Sequence, residues 1–220
     1  MKIVHARFYS PHMDSTLPSG NPDVRINRID VLSDAWYTLR RADFDYRDAT
    51  GNWNNEQREA YDRGNGATIL LIDWDRQTVV LTRQFRMPAY LNGHKDGMLI
   101  EAPAGLLDTD DADDTDTAIR REAEEETGYR VRSIERLFEL FMSPGSVTER
   151  VAFFAAEYTP DDRVSAGGGV AQEGERIEVL ELDLADALER VRTGEINDAK
   201  TVLLLQWAER QRDHRGSTPC

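Results

Sequence analysis

Short alternating apolar runs come first along this chain, and helical periodicity comes later. From Ile29 to Ala60 the alternation is brief, as in Trp36-Tyr37-Thr38-Leu39 and Asp43-Phe44-Asp45-Tyr46, and turn residues interrupt it from Asp48 to Asn55. A small antiparallel β unit over residues 29–60 is expected. Two apolar runs then face each other across Asp73 to Gln77: Thr68 to Ile72 and Thr78 to Thr82. Met98 to Ile100, Leu137 to Phe141, Val151 to Ala155 and Ile177 to Leu182 read as further strands. Three segments carry the helical period, about Thr115 to Thr127, Ala185 to Thr193 and Asp198 to Arg212. The last shows a broad stripe of Val202, Leu203, Leu205, Trp207 and Ala208. Strands, a helix, more strands and then helices argue for a layered α/β (α+β) domain rather than repeated βαβ units. Residues 1–28, with Ser10-Pro11, Leu17-Pro18-Ser19-Gly20 and Asn21-Pro22, read as an irregular leader. Residues 61–212 form the main domain and residues 213–220 a tail.

Charge and cysteine content narrow the possible roles. The 27 Lys and Arg stand against 41 Asp and Glu, a formal charge of −14, which disfavours non-specific binding to nucleic acid or to membranes. An enzyme of this charge that handles phosphates needs divalent cations, and carboxylates collect them. The lone cysteine, Cys220, permits no disulfide within the chain. No apolar run approaches the roughly 20 residues of a membrane span, and Met1 to Phe8 lacks the apolar core of a signal peptide. A soluble, cytoplasmic protein is expected.

The chemistry concentrates in Arg121-Glu122-Ala123-Glu124-Glu125-Glu126-Thr127-Gly128-Tyr129. On a helix, Glu122 shares a face with Glu125 and Glu126, with β-carbons roughly 5–6 Å apart. Like charges so placed destabilise a bare helix, so a compensating positive charge is required. Arg121 is one candidate and a divalent metal is the better one, because Mg²⁺ takes hard oxygen ligands. Gly128 reads as the helix stop, and the acidic residues from Asp110 to Asp116 suit the helix N-terminus. A solvated acidic face is the commoner identity of a Glu-rich helix; the apolar Ala118, Ile119 and Ala123 and the terminal glycine separate this one from it.

This segment resembles the Nudix box, G-x5-E-x7-R-E-U-x-E-E-x-G-U, where U is aliphatic or bulky apolar. Arg121 to Tyr129 matches each fixed position of its second half. The first half departs: Gly105 lies two residues too far upstream, and Asp113 stands where the box has Glu. Arg83-Gln84-Phe85-Arg86, Glu101-Ala102-Pro103-Ala104-Gly105 and Met142-Ser143-Pro144-Gly145 are similar to the ADP-ribose pyrophosphatase branch. Asn65 to Leu71, Gly105 to Asp108, Ala166 to Val170 and Asp198 to Thr201 resemble the bacterial GDP-mannose-cleaving members.

The resemblance implies a Nudix α/β/α sandwich and a homodimer that exchanges its N-terminal β subdomains. It implies metal-dependent hydrolysis of a nucleotide sugar, GDP-mannose to GMP and mannose 1-phosphate, or in the alternative ADP-ribose to AMP and ribose 5-phosphate. A non-catalytic nucleotide-binding Nudix domain is the reading from another class, and the intact glutamates weigh against it. By the same resemblance, the Ala104 carbonyl, Glu122 and Glu126 hold Mg²⁺ or Mn²⁺, and Glu125 joins through a second ion or a water. Arg86 contacts the diphosphate, Arg63 the nucleotide, and Lys200 a phosphate or the sugar. Trp36 or Tyr37 of the partner subunit stacks on the base. Gly167-Gly168-Gly169 followed by Glu173 and Glu175 reads as a mobile acidic loop with glycine hinges. The resemblance makes Glu175 the general base or an added metal ligand, with Glu173 its rival.

Overall fold

The computed structural model describes residues 20–107, 115–170 and 176–216. The chain divides into two compact units, Met1–Arg63 with Phe141–Glu149, and Gly64–Leu140 with Arg150–Cys220.

The first unit is a three-stranded antiparallel sheet in the order β1-β2-β3, from β1 (Val24–Asp34), β2 (Thr38–Arg47) and β3 (Trp53–Asp62). Its first strand thus begins five residues before Ile29, and register shifts near Arg28 and Ser33 mark bulges along it. The turn expected after Asp48 forms around that side chain. Asp48 accepts hydrogen bonds from the Thr50 hydroxyl and from the backbone amides of Thr50 and Asn52, at 2.7, 2.9 and 3.0 Å. Those donors, the Thr50 hydroxyl first, hold its carboxyl down at about 2. Residues 141–149 join this unit through Tyr61, whose amide donates to the Ser146 carbonyl and whose carbonyl accepts from the Thr148 amide.

The second unit is built on a seven-stranded sheet. The main path runs β10-β5-β4-β9-β8, with β6 on β5 and β7 on β4. The strands are β4 (Gly66–Asp73), β5 (Thr78–Phe85), β6 (Met98–Glu101), β7 (Ala104–Leu106), β8 (Glu135–Phe141), β9 (Arg150–Glu157) and β10 (Glu178–Asp183). β4 is buried along its whole length and runs parallel to β9. That is why it reads as a continuous apolar run rather than an alternating one. β7 was not legible in the sequence, because three residues between Pro103 and Leu107 carry no period. The short α1 (Met87–Leu91) was also unforeseen.

Helices cover both faces of this sheet. Ile69, Leu71, Val80 and Phe154 form one core with Ile119 and Ala123 of α2 (Thr115–Thr127). Successive strand residues point to opposite faces, so the equally buried Leu70, Ile72, Val79, Leu81 and Phe153 serve the other side. There α3 (Leu184–Thr193) contacts β5, and α4 (Ala199–Gly216) contacts β4. This is the three-layer arrangement expected from the resemblance. The stripe on α4 differs from the expected one: Thr201, Leu204, Leu205 and Ala208 are fully buried, while Leu203 is 37% exposed. An i, i+3, i+4, i+7 series selects that face. No helix among the described residues is long and apolar enough to cross a membrane.

α2 ends at Gly128, with φ +81°. Its neighbours there are Ser165 and Gly167; a Cβ on Gly128 would meet the Ser165 carbonyl oxygen at 2.3 Å. The described part of the glycine run packs against this helix end, while the acidic residues expected to follow it lie outside the described residues. Gly168 and Gly169 donate their amides to the carbonyls of Glu126 and Glu125 at 2.9 and 3.1 Å, satisfying carbonyls that the helix end leaves unpaired.

Replacing Gly128 with Ala forces a left-handed backbone that costs an ordinary residue about 1–2 kcal/mol, before any clash. We expect Gly128→Ala to lower the melting temperature by roughly 2–8 °C, since about 2–4 °C accompanies each kcal/mol at this chain length. Gly145→Ala, where an added Cβ meets nothing within 4 Å, serves as the control. Equal melting of the two variants would refute the interlock.

Candidate active site

The centre of the second unit's candidate site is the meeting of α2 with β7. Glu126, only 3% exposed, accepts a hydrogen bond from the Ala104 amide to its Oε2 at 3.2 Å. One residue further along β7, Gly105 packs on Glu122. A Cβ at Gly105 would lie 2.4 Å from Glu122 Cδ and 2.8 Å from its Oε1. A side chain at position 105 is therefore incompatible with the Glu122 carboxylate where it stands. The two carboxylates, one helical turn apart, address consecutive residues of one short strand. The sequence expectation that they share a face holds.

The other two glutamates of the helix have different surroundings. Glu124 forms a bidentate pair with Arg130, with both contacts at 2.8 Å, and this Arg130 hydrogen bonding is the main cause that holds its carboxyl below the usual range. Glu125 is exposed, and its backbone carbonyl takes the Gly169 amide. Arg121, proposed as a compensating cation, lies 3.8 Å from Glu122 Oε1.

A second cluster brings together residues far apart in sequence. Arg86, which follows β5, donates from Nε to Glu101 Oε2 at 2.6 Å. Lys200, in the first turn of α4, donates from Nζ to Glu101 Oε1 at 3.3 Å and to Asp198 Oδ1 at 2.7 Å. Asp198 caps α4 by accepting the Thr201 amide at 3.0 Å and the Thr201 hydroxyl at 2.8 Å. That hydroxyl oxygen in turn accepts the Ala102 amide at 2.7 Å. The cap of α4 is thereby fastened to the strand crossing that presents Ala104 and Gly105. Burial alone lowers the pKa of the Arg86 guanidinium, but the charges of Glu101, Glu126 and Asp198 outweigh it and the net shift is upward. Arg86 remains a cation, 38% exposed at its side chain, whose terminal nitrogens add four N–H donors beyond the bond to Glu101. Hard carboxylate oxygens beside two anchored cations suit a divalent ion and an anionic ligand together.

The sequence reading named Arg86 and Lys200 but gave no role to Glu101, Asp198 or Thr201. The partners of Glu101 lie on other elements, so no local signal marks it; Asp198, three residues before Thr201 at the start of α4, carries a local N-cap signal.

Trp36, Tyr37 and Arg63 belong to the first unit. Trp36, in the β1–β2 turn, is 82% exposed, and its ring meets Tyr37 edge-on with centroids 6.4 Å apart. Tyr37 packs edge-on against Tyr61 at 5.8 Å. The Arg63 guanidinium sits 5.6 Å from the Tyr37 ring centre, and its Nε lies 3.5 Å from Glu149 Oε1. Such an aromatic–guanidinium group can stack on a flat, electron-rich ring. Glu173, Glu175 and Asp113 lie outside the described residues.

The Nudix domain pattern matches residues 62–205, and the pattern described as the GDP-mannose pyrophosphatase NudK N-terminal domain matches residues 23–61. A GDP-mannose pyrophosphatase of Salmonella typhimurium is 54% identical over 179 residues, covering 81% of this chain and 91% of the relative. A protein of the same description from Klebsiella pneumoniae is 50% identical over 187 residues, covering 85% and 92%. The crystal structure of an ADP compounds hydrolase superposes with a TM-score of 0.68 at 18% identity, over 89% of this chain and 97% of that one, which speaks for the fold. With its carboxylate helix, its sheet and these likenesses in agreement, the chain belongs to the Nudix family of pyrophosphohydrolases.

Proposed function

We propose that this protein hydrolyses the diphosphate of a nucleoside diphosphate sugar, with GDP-mannose as substrate and GMP and mannose 1-phosphate as products. The observation that carries the reading is the convergence of Glu122 and Glu126 on Ala104 and Gly105, with Arg86 and Lys200 anchored through Glu101. The choice of substrate is supported by the 54% identical relatives.

In this reading Glu122, Glu126 and the Ala104 carbonyl hold Mg²⁺, with Mn²⁺ as a substitute and Glu125 joining through a second ion or a water. The donor set fits, being entirely hard oxygen. Among the described residues no three His, Cys, Asp or Glu side chains gather as a cage, and the two glutamates and the Ala104 carbonyl are the groups that would hold the ion. Once bound, the ion neutralises phosphate charge and stabilises the leaving oxygen. Arg86 holds the diphosphate, and Lys200 a phosphate or the sugar. Water adds to one phosphorus, and the bridging P–O bond breaks with its electron pair leaving on the other phosphate. The water proton passes to a carboxylate, for which Glu175 is proposed and Glu173 is its rival. Arg63 contacts the nucleotide, and Trp36 or Tyr37 stacks on the base.

The N-terminal sheet, residues 29–60 in the sequence reading, is proposed as the part exchanged between two subunits of a homodimer. Exposed Val31, Leu32 and Trp36 support this, and light scattering behind gel filtration tests it. The leader expected over residues 1–28 loses residues 24–28 to β1, and the tail expected over residues 213–220 loses residues 213–216 to α4; residues 61–212 are proposed as the catalytic domain, with the protein acting in the cytoplasm.

Incubation with GDP-mannose, ADP-ribose, other nucleotide sugars and dinucleotides, with Mg²⁺ or Mn²⁺, should give fastest turnover of GDP-mannose, and product analysis should show GMP. Activity after complete chelation, or a clear preference for ADP-ribose, would reject the reading. Gly105→Ala is expected to displace the flexible Glu122 side chain. It should lower kcat/KM about 100-fold, the scale of a misplacement of about 1 Å, while melting shifts little. Glu175→Gln should reduce kcat by about 10²–10⁴-fold, as for loss of a general base; unchanged kcat at saturating Mg²⁺ would remove Glu175 from that role.

A further inference from the structure

Glu101 is 3% exposed, at the end of β6, and each of its carboxylate oxygens is occupied by a different cation: Oε2 by Arg86 and Oε1 by Lys200. A buried carboxylate is costly unless paired, and here it is paired twice. Arg86 and Lys200 come from opposite ends of the domain sequence, and left alone their charges would repel. Glu101 holds them together, while Asp198 restrains Lys200 from its other side. The path from Ala102 through Thr201 to Asp198 locks the backbone beside Glu101 to the α4 cap. The four charged groups, Arg86, Lys200, Glu101 and Asp198, sum to zero. The cluster therefore offers a diphosphate oriented donors more than net attraction.

We propose that Glu101 is a positioning residue, which aims the remaining donors of Arg86 and Lys200 at one anionic group. The proposal rests on the hydrolase reading above, with the diphosphate as that group. It separates two quantities that a packing role would not. Glu101→Gln keeps the shape but removes one negative charge, so attraction for the substrate is retained or strengthened while orientation is lost. Orientation errors on this scale reduce turnover by about 10- to 100-fold.

The test is a mutant cycle measured by steady-state kinetics with GDP-mannose, or with ADP-ribose if that is the better substrate. Glu101→Gln is expected to lower kcat about 10- to 100-fold, with KM unchanged within about threefold or reduced. The Mn²⁺ concentration for half-activation should stay where it is. On an Arg86→Gln, Lys200→Gln background the same substitution should change kcat less than about twofold, because it acts through those two side chains. An equal loss on both backgrounds, or a shifted Mn²⁺ requirement, overturns the positioning role. If Glu101→Gln does not melt cooperatively, Glu101→Asp, which keeps the charge on a shorter arm, takes its place in the cycle. Absence of wild-type turnover overturns the hydrolase reading instead. The cycle is then read from pyrophosphate affinity by calorimetry, where additive effects of position 101 and positions 86 and 200 would overturn the proposal.

Discussion

The contact on which the site depends is the close approach of α2 to β7. Glu122 and Glu126 are brought against Ala104 and Gly105, and this is possible only because position 105 has no side chain. Two carboxylates one turn apart repel by about 0.2–0.5 kcal/mol on an isolated helix. Full burial of Ile119 alone, on the same helix, contributes about 1.5–3 kcal/mol. Packing therefore outweighs the repulsion, and the sheet imposes an arrangement of charge that the helix would not choose.

A similar balance governs the cations. In a chain with a formal charge of −14, the two positive groups of the site are placed by carboxylates rather than left to find them. Glu101 and Asp198 fix Arg86 and Lys200 at the cost of neutralising them. The site thus gains direction in its hydrogen bonds where it loses long-range attraction.

The C-terminal end of α2 shows how the same helix is held from its other side. Its last carbonyls are taken by the amides of Gly168 and Gly169. Read as sequence, three glycines before an acidic stretch suggested a hinge. In the folded chain Gly168 and Gly169 also cap a helix, since positive φ and close backbone approach are what glycine permits and other residues resist.

Local pattern alone determined a great deal here: α2 and its stop at Gly128, the six longer strands of the second unit, and the metal-suited carboxylates at 122 and 126. These follow from period, capping and spacing, which operate between residues a few positions apart. Three features were decided only by the tertiary structure. β7 exists because β4 offers it a partner, not because Ala104 to Leu106 have strand character of their own. The buried stripe of α4 shifted by one residue at Leu204, because the sheet, not the helix, chooses which apolar face is covered. Glu101 joined Arg86 to Lys200 because the end of β6 meets the cap of α4, a juxtaposition created by folding between positions whose separation in sequence carries no physical interaction.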